Sequence, residues 1–358
     1  MKRSRVFFIR ADGAEAPEAL AAKTKKVLER TGFVGRLAPE DFVALKIHFG
    51  EKGNTGHIRP DWISSLAADI VRKAPRAFLT DSNTLYSGPR SNSVEHIRLA
   101  WSHGFTPEVV GLPVIIADGL TGGDAGEAPG SAGRVTSAKI AGAILSADAL
   151  LALSHVTGHV QTGMGAAMKN LGMGCASRAG KLDQHAVVHP RVQEKSCRDC
   201  GACRECCPAG AILPAGKAVA IDGTRCTGCG ECLVACKFGA IRVRWDEDCL
   251  RIQEKVAEYA LLVARHFSGK IAFLNFLTRV TKDCDCMART QPPIVPDIGI
   301  LASVDPVAID KASADLVIEK AGGADVFRKG YDIDWSRQLA HGEKIGLGTT
   351  RYDLVELK

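Results

Sequence analysis

The runs CRDCGACRECCP (Cys197–Pro208) and CTGCGECLVACK (Cys226–Lys237) say more about this chain than any other stretch. The first places Cys197, Cys200, Cys203 and Cys207 in the spacing C-x2-C-x2-C-x3-C. The second repeats that spacing 29 residues later, on Cys226, Cys229, Cys232 and Cys236. An iron–sulfur cube has four iron corners, and each takes one soft, deprotonated thiolate. Three cysteines spaced by two residues wrap three corners from one short loop. Gly201, Gly228 and Gly230 permit the tight turns and expose backbone N–H groups to the sulfurs. Zinc ribbons use paired C-x2-C arrangements instead, and four thiolates this crowded do not suit them. A disulfide scaffold needs an oxidising compartment, and no secretory signal is read at the start of the chain.

The doubled spacing is similar to that of the bacterial two-cluster ferredoxins, in which the fourth cysteine of each run ligates the other cluster. The resemblance implies two [4Fe–4S] clusters. One is held by Cys197, Cys200, Cys203 and Cys236, the other by Cys226, Cys229, Cys232 and Cys207. Lys237 follows Cys236 where proline is common, which alters the turn but not the ligand set. Cys175, Cys206 and Cys249 are spare, and Cys206 is expected to point away from the cube.

At 358 residues the chain is far longer than such a module, which occupies about 191 to 246. The hydrophobic fraction of 46% and charged fraction of 24% fit a globular protein. The formal net charge of +6 suits an acidic redox partner or an anionic substrate, and suits a solvated surface equally. No basic run with interleaved aromatic residues points to nucleic acid. No apolar stretch reaches the ~18 residues a membrane span needs. Val6 to Ile9 is too short for a signal-peptide core. Thirteen cysteines without a signal imply a reducing cytoplasm, and oxygen-sensitive cubes an anaerobic or microaerobic host.

Outside the module, β-rich and helix-like segments alternate. Strands are expected at Val6–Ile9, Phe42–Phe49, Arg76–Thr80, Leu112–Ala117, Ala149–Ser154, Lys270–Leu277 and Ile298–Leu301. Helices are expected at Ala16–Arg30, after Pro60, at Val94–Gly104, Lys139–Ser146 and Ile309–Lys320. Another is expected along the stripe Ile252, Val256, Ala260, Val263 and Phe267. Thr121–Arg134, rich in Gly, Ala and acidic residues, reads as a surface loop. The pattern predicts an α/β fold with a mainly parallel sheet and an inserted α+β ferredoxin-like two-cluster module. The expected division is 1–190 and 247–358 for the two parts of the α/β domain, with 191–246 between them. Two separate domains bracketing the module are the alternative.

Three further segments concentrate chemistry. HFGEKGNTGHIRP (His48–Pro60) follows a strand and leads into a helix. Its glycines, Asn54, Thr55, His57 and Arg59 can cradle an anion there, or form a solvated turn. Ser154 to His189 contains His155, His159, Lys169, Asn170, Arg178, His185 and six glycines, and it follows a buried strand. A lone histidine in such a place is usually structural, whereas a cluster beside Lys169 and Asn170 points to a ligand or catalytic site. In Asp283-Cys284-Asp285-Cys286, a strand would point Cys284 and Cys286 the same way. Such a pair binds a soft metal, approaches a cluster, acts as a redox pair, or is simply two reduced thiols.

The pair His155 and His159 with GAAMKNLGMG, the stretch IAFLNFLTRVTKDCDC, and DIGILASVDPVAID (Asp297 to Asp310) resemble the family called domain of unknown function 362. Its members are often fused to a two-cluster ferredoxin module. The resemblance implies an iron–sulfur protein and supplies no substrate. A more distant similarity is to the nickel-pincer lactate racemases. That family has an early Asp-x-Thr-Arg-Pro motif, then a histidine, a Gly-rich run, a cofactor-anchoring lysine and a nickel-binding histidine. Here Asn54-Thr55 and Arg59-Pro60 are separated by three residues, and His159, Lys169 and His185 follow in order. This similarity implies that Arg59, His159, Lys169 and His185 face one cleft.

The expected function is therefore an iron–sulfur oxidoreductase whose two clusters relay single electrons to a site in the α/β domain. His159 or His185 serves as general acid or metal ligand, and Lys169 stabilises an anion or holds a cofactor. Arg59 clamps a carboxylate or phosphate. Lys169, Asn170, His155, Cys284 and Cys286 are candidates to bind a further metal or organic cofactor. The partner is a redox protein or a small-molecule substrate. No dinucleotide fingerprint or P-loop supports NAD or ATP, and flavin sites have no short signature. The alternatives are a non-catalytic electron-transfer subunit and a metal- or sulfur-handling maturation protein that uses Cys284 and Cys286.

Overall fold

Alternate residues of the long apolar strands feed two different cores. Val6 and Phe8 pack with Leu150, Ala152 and Phe273 on one face of the sheet. Phe7 and Ile9 pack with Leu151, Leu153, Leu274 and Phe276 on the other. A strand has a side-chain period of two, so nearly unbroken apolar runs mean that both faces are covered. The computed structural model describes residues 3–185, 190–226, 230–242, 249–267 and 269–358.

The central sheet has eight strands, numbered here in chain order. They are β1 (Ser4–Arg10), β2 (Phe42–Ile47), β3 (Arg76–Asp81), β4 (Val114–Ile116), β5 (Ala149–His155), β6 (Ile271–Leu277), β7 (Gly299–Ser303) and β8 (Tyr352–Leu357). Their spatial order is β8-β1-β7-β6-β5-β2-β3-β4. Only β7 runs against the others, pairing antiparallel with β1 and β6. The fold is a mixed α/β fold around a large, mostly parallel sheet, as the alternation predicts. The helices Pro17–Glu29 and Ser64–Lys73 cover one face. Cys249–His266 and Pro306–Lys320 cover the other. Asp305 caps the second of these, its carboxylate accepting from the N–H groups of Val307 and Ala308 at 3.0 Å.

Two expectations are corrected. Thr121–Arg134 is not a loop throughout, because Ala125–Ala132 is a strand that forms an antiparallel hairpin with Val135–Ala141. Lys139–Ser146 is not one helix, because that second strand runs into it and only Gly142–Leu145 is helical. Local composition hid the pairing. Ala128, Ala132, Val135, Ala138 and Ile140 join the core and supply the energy that glycine and proline oppose.

Between the helix Arg178–His185 and the helix Cys249–His266 lies the cysteine-rich segment. Arg191–Val192 pairs with Ile241–Arg242, and Ile212–Ala215 forms a hairpin with Ala218–Ile221. Short helices at Ala202–Glu205 and Glu231–Ala235 repeat each other's position in the two cysteine runs. The segment has its own small core of Cys203, Ile212, Val219, Cys232, Leu233, Cys236 and Ile241, and Leu85 and Leu182 join it from outside.

Arg178 fastens this segment to the sheet. It is fully buried, and its guanidinium donates to the carbonyls of Thr84 at 3.3 Å and Ser91 at 2.5 Å. It also pairs with Glu231 at 3.6 Å. Gly230 has a φ of +78°, and a Cβ there would lie 3.1 Å from the Arg178 side chain. Arg178→Ala is expected to lower the unfolding free energy by about 2–4 kcal/mol, through unpaired carbonyls and a lost ion pair. Urea denaturation checks this, and Arg178→Lys should recover part of the loss.

Candidate functional site

Strands β6, β5, β2 and β3 are neighbours, and their carboxyl ends open on a cavity of about 490 Å³. This is where ligands gather in open α/β sheets. Lys46 comes from β2 and His48 from just beyond it. Asp81 and Ser82 come from the end of β3, Ser154 and His155 from the end of β5. The segment after β6 contributes Cys284, Asp285 and Cys286. His159, Lys169, Asn170 and His185 close the wall.

Three buried ion pairs fix the rim. Lys46, 1% exposed in an otherwise apolar strand, meets Asp81 at 2.9 Å and donates to the Asn170 amide oxygen at 2.8 Å. Asn170 in turn donates to the Leu153 carbonyl at 2.9 Å. Burial opposes the Asp81 charge, but Lys46 and His96 hold its carboxyl well below the usual range. Arg90 pairs with Glu51 at 3.1 Å and donates to the Tyr86 hydroxyl. His155 donates through Nδ1 to Asp285 at 2.9 Å and through Nε2 to the Thr278 carbonyl at 2.8 Å. Both nitrogens act as donors, which is the imidazolium form. Burial works against that charge, yet the Asp285 carboxylate raises the His155 pKa overall. Asp285 is drawn down to about 2, because the His155 cation outweighs the cost of its burial.

The glycines serve packing. A Cβ at Gly172 would meet the Val256 carbonyl oxygen at 2.1 Å, so the helix Ala167–Gly172 lies directly on the backbone of Cys249–His266. Asp310 accepts from the Ala167 and Met168 N–H groups at 2.9 and 2.8 Å and so anchors the start of that short helix. Lys169 is thereby aimed into the cavity. Its ammonium makes no hydrogen bond or ion pair among the described residues. Burial, with Arg90 and Lys46 nearby, lowers its pKa to about 8. Lys181, from the helix Arg178–His185, donates to the Ser82 hydroxyl and the Ala176 carbonyl and is also lowered to about 8, chiefly by burial. Burial and the lysines push His185 down to about 3. His159 is held well below its ordinary value by burial and by Lys169.

The expected site residues thus divide. His155, His159, Lys169, Asn170, His185, Cys284 and Cys286 all line the one cavity. Arg59 is not among the lining residues. It is exposed and paired with Asp61 at 2.9 Å. The stretch His48–Pro60 folds on itself, with the Asn54 side chain accepting from the Gly56 and His57 N–H groups. His155 is committed to Asp285. Cys284 and Cys286 lie in a turn, not a strand, and their sulfurs are joined as a disulfide. Sequence reasoning missed Lys46, Arg90 and Lys181. Lys46 left a trace, as one charge inside the apolar run Phe42–Phe49, whereas Arg90 sits in a Gly/Pro/Ser-rich loop without periodicity.

In the cysteine-rich segment, Cys197, Cys200, Cys203 and Cys236 line one small cavity. Cys207, Cys226 and Cys232 line a second. Cys229 lies outside the described residues, as does His189. Cys207 Sγ accepts from the Ala211 N–H and Cys236 Sγ from the Ala240 N–H, both at 3.2 Å. The two halves thus make the same contact four residues on. Cys206 lines neither cavity and donates to the Cys203 carbonyl. Cys175 is buried, its thiol pushed up to about 12 by burial.

Lys169 offers a direct check. Its folded pKa of about 8 lies below the ordinary value of 10.5, so the folded state disfavours the charge. That penalty is complete below about pH 8 and fades as pH rises past 10.5, above which both states are neutral. Lys169→Met is therefore expected to raise the melting temperature at pH 7. The gain should shrink steadily between pH 8 and pH 10 when melting is followed across that range.

No curated protein matches this chain. Among solved structures, a protein from Thermotoga maritima studied by a structural genomics consortium superposes with a TM-score of 0.41 at 9% identity. The match covers 87% of this chain and 60% of that one. The lactate racemase apoprotein from Thermoanaerobacterium thermosaccharolyticum gives 0.35 at 12% identity, covering 76% of this chain and 51% of that one. This chain thus spans about half to three fifths of the length of each. The family described as Domain of unknown function (DUF362) matches residues 43–315. That span takes in the cavity, its ion pairs and the cysteine runs, and the chain belongs to this family.

Proposed function

We propose that this protein is an iron–sulfur oxidoreductase in which two [4Fe–4S] clusters relay single electrons to the cavity at the carboxyl ends of β2, β3, β5 and β6. On this reading 191–246 is an inserted ferredoxin-type module, and 1–190 with 247–358 form the α/β domain. One observation carries the proposal. The cysteines group as a crossed ligand set requires, with Cys236 beside the first run and Cys207 beside the second. The residues fit such clusters in a second respect, since the Ala211 and Ala240 N–H groups donate to ligand sulfurs. Cys229 completes the second set.

The module and the cavity share a wall. Leu85 lines the cavity and packs with Cys203, Cys232 and Cys236. Gly230, which lines the second cysteine pocket, sits against Leu85, and a Cβ there would be 3.4 Å from it. This adjacency favours delivery into the cavity over a purely carrier role.

The lining supports a small anionic substrate, oxidised or unsaturated. Lys46, Arg90, Lys169 and Lys181 face Asp81 and Asp285, which leaves an excess of positive charge. Lys46 and Arg90 are held by Asp81 and Glu51, and Lys181 donates to Ser82 and Ala176, so among the described lining residues Lys169 is the cation free to meet a carboxylate. His159 Nδ1 accepts from the Thr162 N–H at 3.1 Å, which puts the ring proton on Nε2 as a donor. Sequestered behind the rim, a substrate would meet fixed charges and little water.

Purified without air, the protein is expected to contain about eight iron and eight sulfide per chain. Cys236→Ser and Cys232→Ser should each lower iron by about half, and by crossed ligation each should spare the other cluster. A colourless protein carrying zinc would overturn the proposal. Substrate-analogue carboxylates should bind the wild type and bind Lys169→Met at least about tenfold more weakly, as measured by calorimetry.

A further inference from the structure

We infer that His159, Cys284 and Cys286, with the cysteines as a dithiol, form a binding site for one thiophilic divalent metal ion on the wall of the cavity. A ring nitrogen of His159 and the two sulfurs lie within 4.8 Å of one another. His159 and Cys284 are buried and Cys286 is half-buried. Two thiolates and one imidazole suit zinc, and nickel by the same softness. Three protein ligands leave a fourth position, and here it opens on the cavity that Lys169 lines. None of the eight cysteines assigned to the clusters takes part.

The three ligands are held from behind. The strand Thr157–His159 runs against the segment that leads to Cys284, with the Gly158 N–H donating to the Thr281 carbonyl at 2.8 Å. A Cβ at Gly158 would lie 2.1 Å from the Lys282 carbonyl oxygen, so only glycine allows this approach. Between the two cysteines, the Asp285 carboxylate is fixed by His155 and the Asp285 carbonyl by the Glu51 N–H at 3.0 Å. The turn closes through the Met287 N–H and the Cys284 carbonyl at 3.0 Å. Thr162 supplies the outer partner. Its hydroxyl lies 2.9 Å from His159 Nδ1 and donates to the Met164 carbonyl at 2.9 Å. That contact, with the Thr162 N–H donating to Nδ1 at 3.1 Å, fixes the plane of the imidazole.

The disulfide and the metal exclude each other. Opening the Cys284–Cys286 bond takes two electrons from a phosphine and two protons from water, whose oxygen leaves as the phosphine oxide, and yields two thiols. Metal binding then releases both thiol protons to solvent. The occupied site is therefore a reduced state and the bridged site an empty one.

The test uses the whole protein, kept anaerobic, reduced with a phosphine, given one equivalent of zinc and desalted. X-ray absorption at the zinc edge is expected to fit two sulfurs at about 2.3 Å and at least one nitrogen at about 2.0–2.1 Å. Cys284→Ser and Cys286→Ser should each lose the bound zinc, and Thr162→Val should weaken binding by about 10-fold or more. Because a serine variant can misfold, the wild type is also oxidised to close the bridge. It should then release zinc and take it up again on reduction. Zinc retained by the serine variants or by the bridged protein, or not retained by the reduced wild type, would overturn the inference. Iron and sulfide counted on the same samples report separately on the electron-relay proposal.

Discussion

Everything around the cavity depends on charges held out of water in pairs. Lys46 and Asp81 stand on adjacent parallel strands, and the register that sets Lys46 opposite Thr80 brings their side chains together at the strand ends. Burying either alone would cost several kcal/mol, while the pair contributes little net stability compared with an apolar replacement. Its effect is geometric. Lys46 holds Asn170, Asn170 holds the end of β5, and Lys169, the preceding residue of the short helix, is fixed with them. Arg90 with Glu51 and His155 with Asp285 extend the same arrangement to the loops after β3 and β6. Partners already engaged leave Lys169, among the described lining residues, as the cation with unspent capacity.

This division of roles separates residues that sequence alone groups together. His155 and His159 lie four residues apart and read as equivalent. One is a cation that positions the Cys284–Cys286 turn, and the other is neutral and faces the cavity. Asp310 and Gly172 likewise touch no site, yet they seat the helix that carries Lys169 and Asn170.

Much of the fold was legible because both sheet faces are buried, which writes strands as long apolar runs and helices as stripes. The candidate site was legible where residues cluster in sequence, in His155–His185 and Asp283–Cys286. Tertiary pairing hid the rest. The hairpin Ala125–Ala141 is made stable by the core beneath it, against a composition of Gly, Ala and Pro. Arg90 reaches the site from an irregular loop, and no periodicity marks such a residue. Arg59 had a suggestive neighbourhood, but its ion pair with Asp61 directs it to solvent. The edge strand Tyr352–Leu357 alternates half-buried and exposed residues, so it gives little apolar signal.

Leu85 lines the cavity and joins the small core of the cysteine-rich segment, and on the proposed reading this places the clusters beside the cavity. Electron paramagnetic resonance of the dithionite-reduced protein tests this account most directly. The account predicts about two unpaired spins per chain, with the split lines of two neighbouring cubes. A protein that stays silent after reduction while holding zinc would contradict it.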